Sequence, residues 1–136
     1  MPSIAVDAGP LVALFKGTDN YHGDAVAFIQ SIEGPLVTNL VVISEVVALL
    51  SHSFQTAFLG WAIGGALVID QETAQDLPRI IEIMNKYSDL PADFADASLL
   101  AMCERRNIRD VATLDKDFDV YRTADRKRLR NVFFAG

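Results

Sequence analysis

The sequence predicts an α/β fold, a three-layer sandwich with a central parallel sheet of about four to five short strands and helices on both faces. Three observations carry this expectation. Short β-rich runs alternate with longer runs of helical spacing, the pattern of a parallel sheet covered by helices. The 136 residues suit one domain, residues 1–136, with a proper core, and would make two full domains cramped. No internal repeat, low-complexity tract or linker divides the chain.

In chain order, "SIAVDA" (3–8) reads as a short, largely buried strand ending in a carboxylate. "GPLVALF" (9–15) turns and starts a helix, with Pro10 suited to a first helical turn. "GTDNYHG" (17–23) is a loop, and "DAVAFIQSI" (24–32) is helical by the spacing of Val26, Ile29 and Ile32. "PLVT" (35–38) is a second strand, followed by the apolar helix "NLVVISEVVALLSHSF" (39–54). "TAFLGWAIGG" (56–65) is another helix closed by its glycines, and "ALVI" (66–69) is strand three. "ETAQDLPRIIEIMNKY" (72–87) is helical, with Pro78 restricting or kinking its early turns. A helix over about 93–106 comes next, then strand four, "DVATLD" (110–115), and a final strand, "NVFFA" (131–135).

Hydrophobic residues make up 51% of the chain, which argues against disorder. The longest apolar run, "LVVISEVVALL" (40–50), is too short to span a membrane and carries Glu45 at its middle. The N-terminus lacks the pattern of a secretory signal, and the single Cys103 excludes an internal disulfide framework. The expectation is a soluble, cytoplasmic protein with no membrane partner. The net charge of −6 conceals an asymmetry: residues 1–104 hold 3 Lys/Arg against 13 Asp/Glu, and residues 105–136 hold 9 against 5. Global acidity disfavours a nucleic-acid partner, because phosphate binding depends on Lys and Arg displacing counterions. The basic segment "RTADRKRLR" (122–130) pulls the other way, and reads either as a phosphate-binding patch or as a solvated face.

"LPADFADASLLAMCE" (90–104) poses the sharpest question. Asp96 shares helical spacing with Leu99, Leu100 and Cys103, so a regular helix turns its carboxylate toward the apolar side. A buried charge needs a partner. Ligands in open parallel sheets bind outside the carboxyl ends of strands, and Asp7 and Asp115 both stand where strand candidates finish. Asp96 begins the helix that leads into Asp115's strand, which places it on the same rim. Glu45 lies in a helix apolar almost all round, flanked by Val41, Val42, Val46 and Val47, and has no basic residue within a turn or two. Four acids from four segments can therefore converge on one pocket. Unpaired, they repel one another and raise their own pKa values. A hard divalent cation, Mg²⁺ or Mn²⁺, removes that conflict. Such an ion activates water and stabilises charge on a phosphoryl oxygen, the chemistry of phosphodiester hydrolysis. Each acid also has a plainer reading. Asp93 fits an N-cap, Asp96 fits a first-turn carboxylate near the positive helix end as well as it fits a ligand, and Asp7 could simply begin a turn. Asp117 and Asp119 read as solvated loop acids, with Asp117 able to help from outside the ligand set.

"VDAGPLVALF", "TNLVVISEVVALL" with its embedded glutamate, "DFADASLLAMCERRNI" and "DVATLDKDF" follow one another in an order and spacing that resemble a PIN-domain ribonuclease. The resemblance is specifically to the VapC-like toxins of bacterial and archaeal toxin–antitoxin pairs, and covers nearly the whole chain. It implies a PIN-like sandwich with a four-acid metal site, carried here by Asp7, Glu45, Asp96 and Asp115. It further implies Mg²⁺- or Mn²⁺-dependent cleavage of single-stranded or structured RNA, a homodimer, and inhibition by a small antitoxin. Thr113 matches the family's Thr-x-Asp, and Asp93 matches an acid that occurs in some relatives, which makes it a candidate secondary ligand here. Many relatives carry Ser or Thr shortly after the first aspartate; this chain has Ala8 and Gly9, leaving the Gly9 backbone N–H as the donor there. Arg105, Arg106, Arg109, Arg122, Arg126, Lys127, Arg128 and Arg130 are candidates for guiding the RNA backbone toward an acidic cleft.

Other signals point elsewhere only weakly. His22 and His52 have no partner at zinc-ligand spacing, Ser44 and Ser98 have no histidine for a triad, and "GWAIGG" (60–65) is not a phosphate loop. Rival readings are a PIN-fold RNA-processing nuclease outside any toxin–antitoxin pair, a non-catalytic metal-binding module, and a receiver-like phosphotransfer module. The receiver needs acidic neighbours after strand one and a lysine after a late strand. Asp7 has no acidic neighbour, and Lys116 is in the wrong register.

Overall fold

Four of the five strands are short aliphatic runs, and their arrangement is given by a computed structural model that describes residues 1–90 and 92–134. Strands β1 (Ile4–Val6), β2 (Leu36–Asn39), β3 (Leu67–Asp70), β4 (Asp110–Ala112) and β5 (Arg130–Asn131) form one parallel sheet in the order β3-β2-β1-β4-β5. Every residue of β1 and β2 is buried, as expected for strands covered on both faces. The covering helices are α1 (Ala8–Phe15), α2 (His22–Ser31), α3 (Leu40–Leu49), α4 (His52–Trp61), α5 (Leu77–Lys86) and α6 (Phe94–Arg106). Together they make the α/β sandwich read from the sequence. Leu11, Val42, Val46, Leu99, Leu100, Met102 and Val111 belong to one core cluster. Among the described residues no helix is long and apolar enough to cross a membrane.

The strand order fixes where chemistry can sit. The chain lays down β1, β2 and β3 outward in one direction, then returns to place β4 on the other side of β1. The reversal falls between β1 and β4, and such switch points are where open α/β sheets hold ligands. Val6 pairs with Ala112, so the residues that follow, Asp7 and Thr113, leave the sheet side by side.

Several elements differ from the sequence reading for local reasons. The expected helix over 39–54 breaks at Leu50–Ser51, where both residues are extended. The Gln55 amide makes the break tolerable by donating to the Val47 carbonyl (2.8 Å) near the end of α3. The following helix therefore starts earlier than 56, at His52, and stops at Trp61. Residues Ala62–Ala66 form a π turn in which Gly65 takes φ of +111°, a conformation open to glycine. Pro78 does not kink a helix running from 72. It sits in the first turn of α5, where its missing N–H costs nothing, after a 3₁₀ turn over Thr73–Asp76. The fourth strand ends at Ala112 rather than at 115, because Asp115 caps a 3₁₀ turn over Lys116–Asp119. The final strand covers only Arg130–Asn131; Phe133 and Phe134 turn away to pack on Phe28 and Tyr21, and Ala135 lies outside the described residues.

Candidate active site

Asp7 follows the last residue of β1, and its backbone N–H donates to the Ala112 carbonyl (2.9 Å) of β4. Its side chain is buried and accepts two hydrogen bonds, from the Ala8 N–H (2.8 Å) and from the Thr113 hydroxyl (2.8 Å). The same Thr113 oxygen accepts the Asp115 N–H (2.9 Å), so one hydroxyl spaces two acids from adjacent strands. Asp115 in turn accepts the Asp117 N–H (2.9 Å). Asp93 caps α6 by accepting the Asp96 N–H (2.8 Å), which confirms its N-cap reading. One turn into that helix, Asp96 accepts the Tyr121 hydroxyl (3.1 Å). Glu45 reaches in from α3 and accepts no hydrogen bond among the described residues.

Asp7, Glu45, Asp93, Asp96 and Asp115 line one cavity of about 310 Å³ together with Ala8, Gly9, Leu49 and Leu114. No lysine or arginine is among these lining residues. The chain itself offers only partial positive charge there, from the N-terminal ends of α1 and α6. The electrostatic result is visible in the carboxyl groups. Burial pushes Asp96 up to about 8, and the charges of Asp93, Asp7 and Asp115 add to it; the Tyr121 hydroxyl opposes. Burial also raises Asp7 against the hydrogen bonds from Thr113 and Ala8, with Asp115 and Asp93 adding to the rise. Glu45 is raised by burial and then by Asp7, Asp93 and Asp115. Burial is the first cause of all three rises, and like charges sharing a site without a counter-charge add to it.

The cavity's all-oxygen donor set fits a hard divalent cation, and the mutual repulsion gives such an ion an electrostatic role. The spacing is open: among the described residues no group of three or more His, Cys, Asp or Glu side chains is arranged to hold a metal ion. Of the secondary candidates, Thr113 acts through its hydroxyl, and Asp117 reaches the cluster through its backbone N–H.

The arginines lie elsewhere. Arg105 forks onto Asp70 (2.6 Å) and Asp76 (2.8 Å) and reaches Glu72 (3.0 Å), while Arg106 donates to Asp70 (2.7 Å). Arg109 pairs with Asp125 (2.9 Å) and Arg130 with Asp110 (3.0 Å). Arg122 donates to the carbonyls of Asp119, Val120 and Tyr121. Arg126 and Arg128 make no ion pair among the described residues, and none of these guanidinium groups lines the acidic cavity.

Two supporting residues, Asn39 and Tyr121, escaped the sequence reading, and Ser98 takes a supporting place instead of a nucleophile's. Asn39 caps α3 through the Val42 N–H (3.0 Å), and its amide donates to Ser98 Oγ (3.1 Å) in α6. That bond ties the helix of Glu45 to the helix of Asp96. Ser98 itself is fully buried and donates to the Ala95 carbonyl, which disqualifies it as a nucleophile. An asparagine before an apolar helix is an N-cap signal that could have been read. Tyr121 had none, since its partner lies 25 residues away.

Comparison with known proteins places this geometry. A PIN domain family model matches residues 4–124. Ribonuclease VapC26 of Mycobacterium tuberculosis is 26% identical over 115 residues, covering 82% of this chain and 85% of that protein. The crystal structure of Mycobacterium tuberculosis VapC20, a sarcin–ricin loop cleaving toxin, superposes with a TM-score of 0.80 at 23% identity, covering 86% of this chain and 93% of that one. FitAcB from Neisseria gonorrhoeae aligns with a TM-score of 0.56 at 18% identity, covering 82% of this chain and 87% of that one. The two structural likenesses are likenesses of fold. With the family match running from the first strand past the acid that follows the fourth, the chain belongs to the PIN-domain family.

Proposed function

We propose that this chain is a divalent-metal-dependent endoribonuclease and the toxin of a toxin–antitoxin pair, with Asp7, Glu45, Asp96 and Asp115 holding Mg²⁺ or Mn²⁺. The observation that carries this reading is the cavity at the sheet's switch point, walled by five carboxylates with no basic side chain among them. The ion, when bound, supplies Lewis-acid stabilisation of phosphoryl charge and makes water a stronger nucleophile. The chain's own residues do the remaining work. Thr113 holds Asp7 in one rotamer and fixes its spacing from Asp115. Asp93 serves as the cap of α6 and adds negative charge at the rim. Glu45, which accepts no hydrogen bond among the described residues, or Asp96 would orient or deprotonate the attacking water. With Arg105, Arg106 and Arg109 in ion pairs, Arg126 and Arg128, which make none among the described residues, are the candidates for phosphate contacts, which position RNA without reading sequence.

Partners follow from the same reading: RNA as substrate, a small antitoxin as inhibitor, and a second copy of the chain in a homodimer, all in the cytoplasm. The relatives' names support the ribonuclease and toxin assignments. The test is cleavage of a mixed RNA pool and of a sarcin–ricin-type stem-loop with Mg²⁺ or Mn²⁺, alongside EDTA and Asp7→Asn controls. Cleavage that vanishes in both controls is expected. Equal cutting by wild type and Asp7→Asn would identify a contaminating nuclease and remove the enzyme reading. Growth arrest on expression, relieved by the product of a neighbouring gene, separates a toxin from an RNA-processing nuclease.

A further inference from the structure

We infer that Tyr121 is a positioning residue for the Asp96 carboxylate, holding one of its oxygens so that the other faces the ion; this rests on the metal-site reading above. Tyr121 is only 1% exposed, and its ring has little freedom. It packs edge-on against Phe118 and Tyr87, each with ring centroids 5.1 Å away. Tyr87 also holds the neighbouring backbone, because its hydroxyl accepts the Arg122 N–H (2.8 Å). The Tyr121 ring is thus clamped on two sides and its following residue is pinned. From that clamped ring the hydroxyl donates to Asp96 Oδ2 at 3.1 Å.

The other oxygen, Oδ1, accepts no hydrogen bond among the described residues. It is not sealed away either, since among the described residues no buried side-chain oxygen lacks a partner. Asp96 therefore has one oxygen held and one open on a side chain that lines the acidic cavity. The kind of donor matters. Arg105 satisfies Asp70 with a full positive charge, which leaves that carboxylate nothing to offer a cation. A tyrosine hydroxyl is neutral: it selects the rotamer of Asp96 and leaves its negative charge in place. Hydrogen-bond partners that orient a metal-binding carboxylate in this way govern affinity without touching the ion.

Tyr121→Phe keeps the clamped ring and deletes only the hydroxyl. The readout is Mn²⁺ affinity by electron paramagnetic resonance on the purified full chain, with melting temperature in EDTA measured beside it. Tyr121→Phe is expected to weaken Mn²⁺ binding roughly 10- to 100-fold while the metal-free melting temperature moves by only a few degrees. Tyr87→Phe keeps the clamping ring and removes a hydroxyl that touches only the backbone of Arg122, and is expected to weaken Mn²⁺ binding clearly less than Tyr121→Phe does. Wild-type affinity in Tyr121→Phe, with binding lost in Asp96→Asn, overturns the positioning role and keeps the metal site. Equal weakening by both tyrosine variants also overturns it, as loosened packing. Undiminished binding in Asp96→Asn removes Asp96 from the ligand set and the inference with it. Should Tyr121→Phe not fold, fluorotyrosine labelling of the natural sequence, which has 3 tyrosines, provides the reading. Mg²⁺ is expected to shift the fluorine resonance of Tyr121 and not that of Tyr21, and an unmoved Tyr121 signal overturns the proposal.

Discussion

Two groups of acids stand at carboxyl ends of strands in this sheet, and they are opposites. Asp70 closes β3 and shares Arg105 with Glu72 and Asp76. Its side chain is 1% exposed, and burial alone would raise it. Hydrogen bonds from Arg105 and Arg106 overcome burial and hold it at about 2. Asp96 shares its cavity with Asp7, Asp93, Asp115 and Glu45, and rises to about 8. The same residue type is driven in opposite directions because one group receives its counter-charge from the chain and the other does not. The first group is finished when the protein folds. The second is electrostatically incomplete, and incompleteness of this kind marks a place where something from outside belongs.

The contrast can be broken most forcefully at Arg105. Arg105→Ala leaves Asp76 without its fork and Asp70 with Arg106 alone, and is expected to cost roughly 3 kcal/mol in urea unfolding, as for removal of one partner from a buried pair. A loss below about 1 kcal/mol would show the network to be a surface ornament. Next in size is the effect of the ion. Mn²⁺ at about 100 times its dissociation constant should stabilise the wild type by about 2.7 kcal/mol, and Arg105→Ala by the same increment, because the two groups are independent. An increment that vanishes in Arg105→Ala would couple them.

Titration then separates the two groups by sign. Asp96 is raised to about 8 in the folded chain from an unfolded value near 3.9. Between those pH values the folded state keeps a proton that the unfolded chain has released. Metal-free stability from this group is therefore present at low pH and falls as pH rises from about 4 to about 8. Asp70, lowered to about 2, gives stability that is present above about 4 and lost as pH falls toward 2. Melting temperature in EDTA against pH, for wild type and for Asp96→Asn and Asp70→Asn, should show the two slopes removed one at a time. The smallest effect belongs to Asp93→Asn. Asparagine caps a helix as well as aspartate does, so the variant should gain a few tenths of a kcal/mol without metal by removing one repelling charge. A loss of about 1 kcal/mol instead would mean that the cap itself needs the charge.

The acids themselves were legible from the sequence because each announces its position locally. Asp7 and Asp115 end strand-like runs, Asp96 interrupts an apolar helix stripe, and Glu45 stands alone among valines. All four line one cavity in the structure. What lay beyond reach depends on pairing across distance. Arg105 and Asp70 are 35 residues apart, and nothing in a basic dipeptide says whether it meets phosphate or a buried carboxylate. The break at Leu50–Ser51 was hidden by continuous apolar character, since the Leu50 N–H and the Gln55 amide that satisfy the last carbonyls of α3 leave no mark in that pattern. The short last strand was misjudged because "NVFFA" has strand composition, while its phenylalanines find partners on α2 and the loop before it.

The reversal of strand order has a consequence for division of the chain. A cut in the segment after β3 leaves Asp7 and Glu45 on an amino-terminal piece, and Asp93, Asp96 and Asp115 on a carboxyl-terminal one. The seam between the pieces runs along the pairing of β1 with β4, sewn by the Thr113 hydroxyl. Neither piece owns all five cavity carboxylates, so on the proposed reading ion capture would belong to the reunited halves, and a split chain would report its own complementation.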